Sequence, residues 1–114
     1  MKLSYEGIGQ WAATFACSGV AEGGMVKISG GGTVAPCGAD EEFCGMALSV
    51  SRDGGACAVA LGGLVSAGYT GTAPGLGWRA LCGDGSGGVK TAETGRSYLV
   101  VDVDGAARTV TFAL

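Results

Sequence analysis

Apolar and polar side chains alternate with a period of two over much of this chain, and the two longest alternating runs each come as a pair. In residues 45–61, GMALSVSRDGGACAVAL, Met46, Leu48 and Val50 alternate with Ala47, Ser49 and Ser51. Beyond Arg52-Asp53-Gly54-Gly55, Cys57, Val59 and Leu61 alternate again. Such alternation marks a half-buried strand, and an Asp-Gly-Gly turn tolerates positive φ. The stretch therefore predicts a β-hairpin. Residues 99–114, LVVDVDGAARTVTFAL, predict a second hairpin around another Asp-Gly turn.

Shorter strands are predicted elsewhere: WAATFAC at 11–17, MVKIS at 25–29, TVAP at 33–36, LVSAGY at 64–69, WRALC at 78–82 and VKT at 89–91. Gly30-Gly31-Gly32 carries no following G-K-[ST] and opens no helical pattern, so it reads as a hairpin turn and not a phosphate loop. No stretch of ten or more residues keeps a 3.6 period, so any helix is expected to span one or two turns.

Shifting the chain by 53 residues lays its halves on each other. Gly24-Met25 falls on Gly77-Trp78, Gly30 on Gly83, Gly32 on Gly85 and Asp40 on Glu93. Ala47, Leu48 and Val50 fall on Val100, Val101 and Val103; Cys57, Val59 and Leu61 fall on Val110, Phe112 and Leu114. A one-residue slip would invert the faces, so the shared phase is informative. The expected organisation is an arm plus first strand over residues 1–20 and a single β domain over 21–114. That domain would contain pseudo-repeats at about 24–61 and 77–114. Packed face to face, they would share one core as a small barrel or two-sheet sandwich. Leu48, Val50, Val59, Leu61, Val101, Val103, Val110 and Phe112 would carry it. Residues 99–101 are apolar on both phases, which implies a central strand or a face covered by a partner.

Composition agrees with many short strands. The 114 residues include 24 glycines and two prolines, with 47% apolar residues; that apolar share is too high for a disordered glycine-rich chain. The net charge is −3 and no basic patch occurs, which argues against nucleic acid. No apolar run is long enough to cross a bilayer as a helix, so no membrane partner is expected. The first eleven residues do not read as a signal peptide, so synthesis in a cytoplasm is expected.

Candidate chemistry is sparse. The chain has no histidine, the commonest general base. Five cysteines, an odd number, match no zinc spacing and read as small apolar residues. Asp40-Glu41-Glu42 is the densest charge cluster, and a solvated loop accounts for it better than a cation site. Asp102 and Asp104 share a strand face and read as solvent-facing. We therefore expect no enzyme activity, no catalytic residues, no cofactor and no metal. The aromatic residues are the better lead. Trp11, Tyr69, Trp78 and Tyr98 are numerous for a core of Ala, Val and Cys, and aromatics are enriched at interfaces. Candidate interface residues are Tyr5, Ile8, Trp11, Tyr69 and Trp78. The arm that carries Tyr5 and Ile8 has two readings left open: it folds back on its own domain, or it docks on another subunit.

The run EGGMVKISGGGTVAPCGADEEFCGMALSVSRDGGACAVALGGLVSAGYTG resembles the small phage capsid decoration, or cement, proteins, which stabilise phage heads. The shared pattern is a G-x-x-V opening of a strand, the Gly45-Met46-Ala47 opening of the hairpin, and G-x-V at Gly63-Leu64-Val65. Residues 77–114 look like the closing strands of that family. The resemblance covers roughly residues 20–114. It implies a non-enzymatic structural protein of the virion, bound to the major capsid protein as a homo-oligomer, with a trimer favoured. It also implies an N-terminal arm laid on the capsid surface. Two other readings fit the residues: a phage tail or fibre module, and a carbohydrate-binding β-domain with Trp11 or Trp78 as a stacking platform.

Overall fold

A computed structural model describes residues 11–114. Among them every regular element is a β-strand, and the one- or two-turn helices allowed for above do not occur. Strands β1 (Trp11–Cys17), β2 (Met25–Gly30), β3 (Thr33–Pro36), β4 (Gly45–Val50) and β5 (Ala56–Gly62) form a closed barrel in the order β1-β3-β2-β4-β5. β1 closes it, running antiparallel to β5 and parallel to β3. Strands β6 (Leu64–Gly68), β7 (Gly77–Gly83), β8 (Val89–Thr91), β9 (Ser97–Asp104) and β10 (Thr109–Ala113) form a second sheet, ordered β6-β10-β9-β7-β8. A single parallel bridge between Tyr69 and Val89 brings its two ends together.

The two sheets use the same pairings. Met25 pairs with Met46 and Met46 with Ala60; Trp78 pairs with Leu99 and Leu99 with Ala113. Each position in the second set lies 53 residues after its counterpart. The irregularities coincide too. The β4–β5 ladder skips Leu48 and the β9–β10 ladder skips Val101, so both hairpins bulge at the same place. A bulge inserts one residue and flips the phase beyond it.

That bulge corrects the expected core. Strict alternation put Leu48 and Val50 inside with Val59. Ala47 is buried instead, Leu48 is 41% exposed, and Val50 is only partly covered. Val100 likewise takes the inner place, and Val101 and Val103 are partly buried. Val59, Val110 and Phe112 are fully buried, while Leu61 packs at the margin.

There are two cores where one shared core was expected. The barrel interior holds Cys17, Val26, Val34, Ala47, Cys57 and Val59, all small. The larger core gathers Val65, Ala67, Tyr69, Leu81, Val89, Tyr98, Val100, Val110 and Phe112 on the inner side of the second sheet. Met25, Met46 and Ala60 from the outer face of the first barrel close over it. Around Met25, Met46 and Ala60, β2, β4 and β5 are thus buried on both faces. Phe43, from the loop before β4, enters this core and stacks on Tyr98 with ring centroids 4.9 Å apart; Phe112 meets Tyr98 edge-on at 5.5 Å. Such pairs contribute about 0.5–1.5 kcal/mol each beyond their buried area.

Turn chemistry follows the sequence. Gly54 has φ 75°, and Asp53 Oδ1 accepts hydrogen bonds from the Gly55 amide at 2.9 Å and the Ser51 hydroxyl at 2.7 Å. In the second hairpin Asp104 Oδ1 accepts from the Ala106 and Ala107 amides. The left-handed residue there is Arg108, with φ 54°, instead of a glycine.

Candidate interaction surface

Of the interface residues expected from sequence, Trp11, Tyr69 and Trp78 fall among the described residues, Trp11 and Trp78 exposed and Tyr69 buried. Tyr5 and Ile8 lie outside the described residues. Trp11 begins β1, and its indole lies over Gly62, where a Cβ would approach the ring nitrogen far inside contact distance. It remains 59% exposed. Trp78 lies on β7 and is 65% exposed, and Leu76 two residues earlier is 61% exposed. Tyr69 is corrected: it is only 4% exposed and belongs to the large core. The Arg108 guanidinium covers its ring at 4.7 Å. Tyr98 is buried as well, and its hydroxyl donates to the Phe43 carbonyl at 3.4 Å.

Leu76 and Ile28, which the sequence does not mark as contact residues, are exposed, and so is Leu48, which alternation assigns to the core. Leu76 could have been noticed as the one large apolar residue in the loop TAPGLG. Phe43 was also missed. A lone aromatic directly after Asp40-Glu41-Glu42 is its only signal.

The acidic loop is tied down by its charges. Glu41 receives both a Lys27 ion pair, at 2.6 Å, and the Gly38 amide, at 2.8 Å. The Lys27 hydrogen bond, reinforced by the Gly38 amide, holds the Glu41 carboxyl below its ordinary range. Asp40 pairs with Lys90 at 2.5 Å, and this contact raises the Lys90 ammonium. Asp40 and Lys90 thus join the β3–β4 loop to β8, across the two sheets. Glu42 accepts from the Arg96 backbone amide at 3.4 Å, and no group of metal-ligating side chains assembles among the described residues.

The cysteines are free thiols, four of them buried. Burial, then the Glu41 charge, pushes the Cys37 thiol up. Burial also raises Cys44 and Cys82. Burial and the neighbouring Cys17 thiol push Cys57 up to about 11. The thiolate is the reactive form, and burial disfavours it at Cys37, Cys44, Cys57 and Cys82. Asp104 caps a turn.

The surface also carries exposed large apolar side chains. Trp11 lies on the first barrel, and the Leu76–Trp78 patch lies on the second sheet. The sequence matches no protein-family model and no curated protein.

Proposed function

We propose that this chain is a non-enzymatic structural protein of a phage virion, which binds the assembled capsid as an oligomer and stabilises it. The observation that carries the reading is the exposure of Trp11 and Trp78 on the strands of two tightly paired β-units. Large aromatics held on a rigid strand surface lose little entropy on docking and anchor interfaces. The chemistry of other side chains agrees, since burial disfavours the thiolate at Cys37, Cys44, Cys57 and Cys82, while Asp40 and Glu41 pair with lysines and Asp53 and Asp104 hold turns. The resemblance of residues 20–114 to capsid decoration proteins supplies the partner, the major capsid protein, and favours three copies.

The test is co-sedimentation with intact expanded capsids and with isolated tails. Retention on capsids alone supports the reading. Retention on tails alone would replace it with the tail or fibre module. The exposed Trp78 ring also favours a second reading, a glycan stacking platform. Loss of glycan binding in Trp78→Ala, with the assembly intact, would establish that one instead.

A further inference from the structure

Two of the free thiols stand together inside the closed barrel. The β1–β5 ladder pairs Phe15 with Cys57 and Ala16 with Ala56, and the Cys17 amide donates to the Gly55 carbonyl at 3.1 Å. Side chains alternate between faces along a strand, so Cys17 and Cys57 share the inner face, on a diagonal across neighbouring strands. Both belong to the small barrel core, 8% and 3% exposed. The Cys17 thiol is close enough to Cys57 to help raise it. Cys37, by contrast, belongs to the larger core, and Cys82 lies on β7.

From this placement we propose that Cys17 and Cys57 form a reversible disulfide that fastens β1, the strand that closes the barrel, onto β5. The oxidant is a low-molecular-weight disulfide. The deprotonated sulfur of Cys17, the more accessible of the two, attacks one sulfur of the reagent. The reagent's S–S bond breaks, and one half leaves as a thiolate that takes up the proton. The Cys57 sulfur then gives up its proton, attacks the Cys17 sulfur of the mixed disulfide and expels the second half as a thiol. The protein loses two hydrogens, and the reagent gains them. Diagonal neighbours on an antiparallel pair lie about 7–8 Å apart, a little beyond the reach of a relaxed disulfide. The end of β1 must therefore draw in. Cys17 is its last residue, and Gly54 and Gly55, which have no side chains to obstruct it, lie against it. A bridge made in this way is readily reduced, as strained disulfides are. The pairing follows from the barrel alone and holds whether or not the chain decorates a capsid.

The test exposes the folded chain to hydroxyethyl disulfide for hours, blocks the remaining thiols and maps tryptic fragments without reduction. Cleavage after Lys2, Lys27, Arg52 and Arg79 leaves Cys17 and Cys57 on separate fragments that hold no other cysteine. These two fragments should be joined to each other, with three of the five thiols left to block. Dithiothreitol should restore all five. The bridge should raise the thermal midpoint by roughly 10 °C over the reduced chain. Cys17→Ser and Cys57→Ser should each abolish both the bridge and the rise, whereas Cys44→Ser should leave both. Five thiols still free, or reagent adducts without a bridge, would overturn the inference. So would bridges that involve Cys37, Cys44 or Cys82, a bridge that forms only in denaturant, or a bridged chain whose midpoint does not rise.

Discussion

The two repeats share a register but are filled differently, and the filling decides their shape. Where the first barrel has Gly45, Ala47, Cys57 and Val59, the second sheet has Tyr98, Val100, Val110 and Phe112. The first set is small enough for β1 to lie against both β3 and β5, giving a barrel with no open edge. The second set is too bulky for that closure. Its β6 and β8 ends share a single β-bridge, Tyr69–Val89, and the first barrel packs Met25, Met46 and Ala60 against its core. Strand pairing alone does not specify a closed barrel. Interior volume must also fit, because protein cores tolerate neither voids nor crowding. The comparison also limits edge pairing as a route to partners. A closed barrel offers no unpaired edge, so the first repeat can recruit a partner only through its side chains.

This difference can be broken most severely at its largest residue. Phe112→Ala should destabilise the chain by about 3–5 kcal/mol, while Val59→Ala, at the equivalent position, should cost about 2 kcal/mol. Denaturant midpoints of both variants measure the ratio. Equal losses would mean that the two cores are not filled differently in energetic terms.

The reverse experiment crowds the small barrel. A Cβ at Gly45 would lie 2.1 Å from the Ala60 carbonyl oxygen and 2.9 Å from a Val59 methyl. Gly45→Ala should therefore cost about 2–3 kcal/mol and lower the thermal midpoint. By contrast, Tyr98→Phe keeps the ring at the matching position and removes only the hydroxyl bond to Phe43, so about 1 kcal/mol should be lost.

The smallest expected effect concerns pH. The Lys27–Glu41 pair belongs to the first repeat only; the equivalent positions are Ala80 and Thr94. The folded Glu41 carboxyl titrates below its unfolded value. Its contribution is thus complete above the ordinary glutamate range and is lost as pH falls through the lowered folded value. Unfolding midpoints of Glu41→Gln and wild type should converge in acid and separate, with wild type higher, towards neutral pH. Parallel curves would show that the pair contributes nothing.

Much of the fold is legible in the residues. All ten strands follow from alternation and turn glycines, and residues 11–17 coincide with β1 although their phase is irregular. What alternation misplaces is the inside of the hairpins. It puts Leu48 and Val101 in the core, because a bulge leaves no mark in hydropathy when valines and leucines follow one another. The interface candidates divide for a similar reason. Tyr69 and Trp78 look alike as isolated aromatics at strand ends, yet one is enclosed under Arg108 and the other is bare. Met25 and Trp78 occupy equivalent positions, and nothing local distinguishes the buried member from the exposed one.

The sequence by itself determined the all-β class, the strand positions and the turns, since these depend on neighbours one to four residues apart. It also carried the 53-residue offset, which recurs in the pairing of Met25, Met46 and Ala60 and of Trp78, Leu99 and Ala113. Only the tertiary structure decided which repeat closes, which outer row is covered and which tryptophan faces outward. Those outcomes depend on the volumes that side chains from distant strands jointly fill, and no local pattern records that sum.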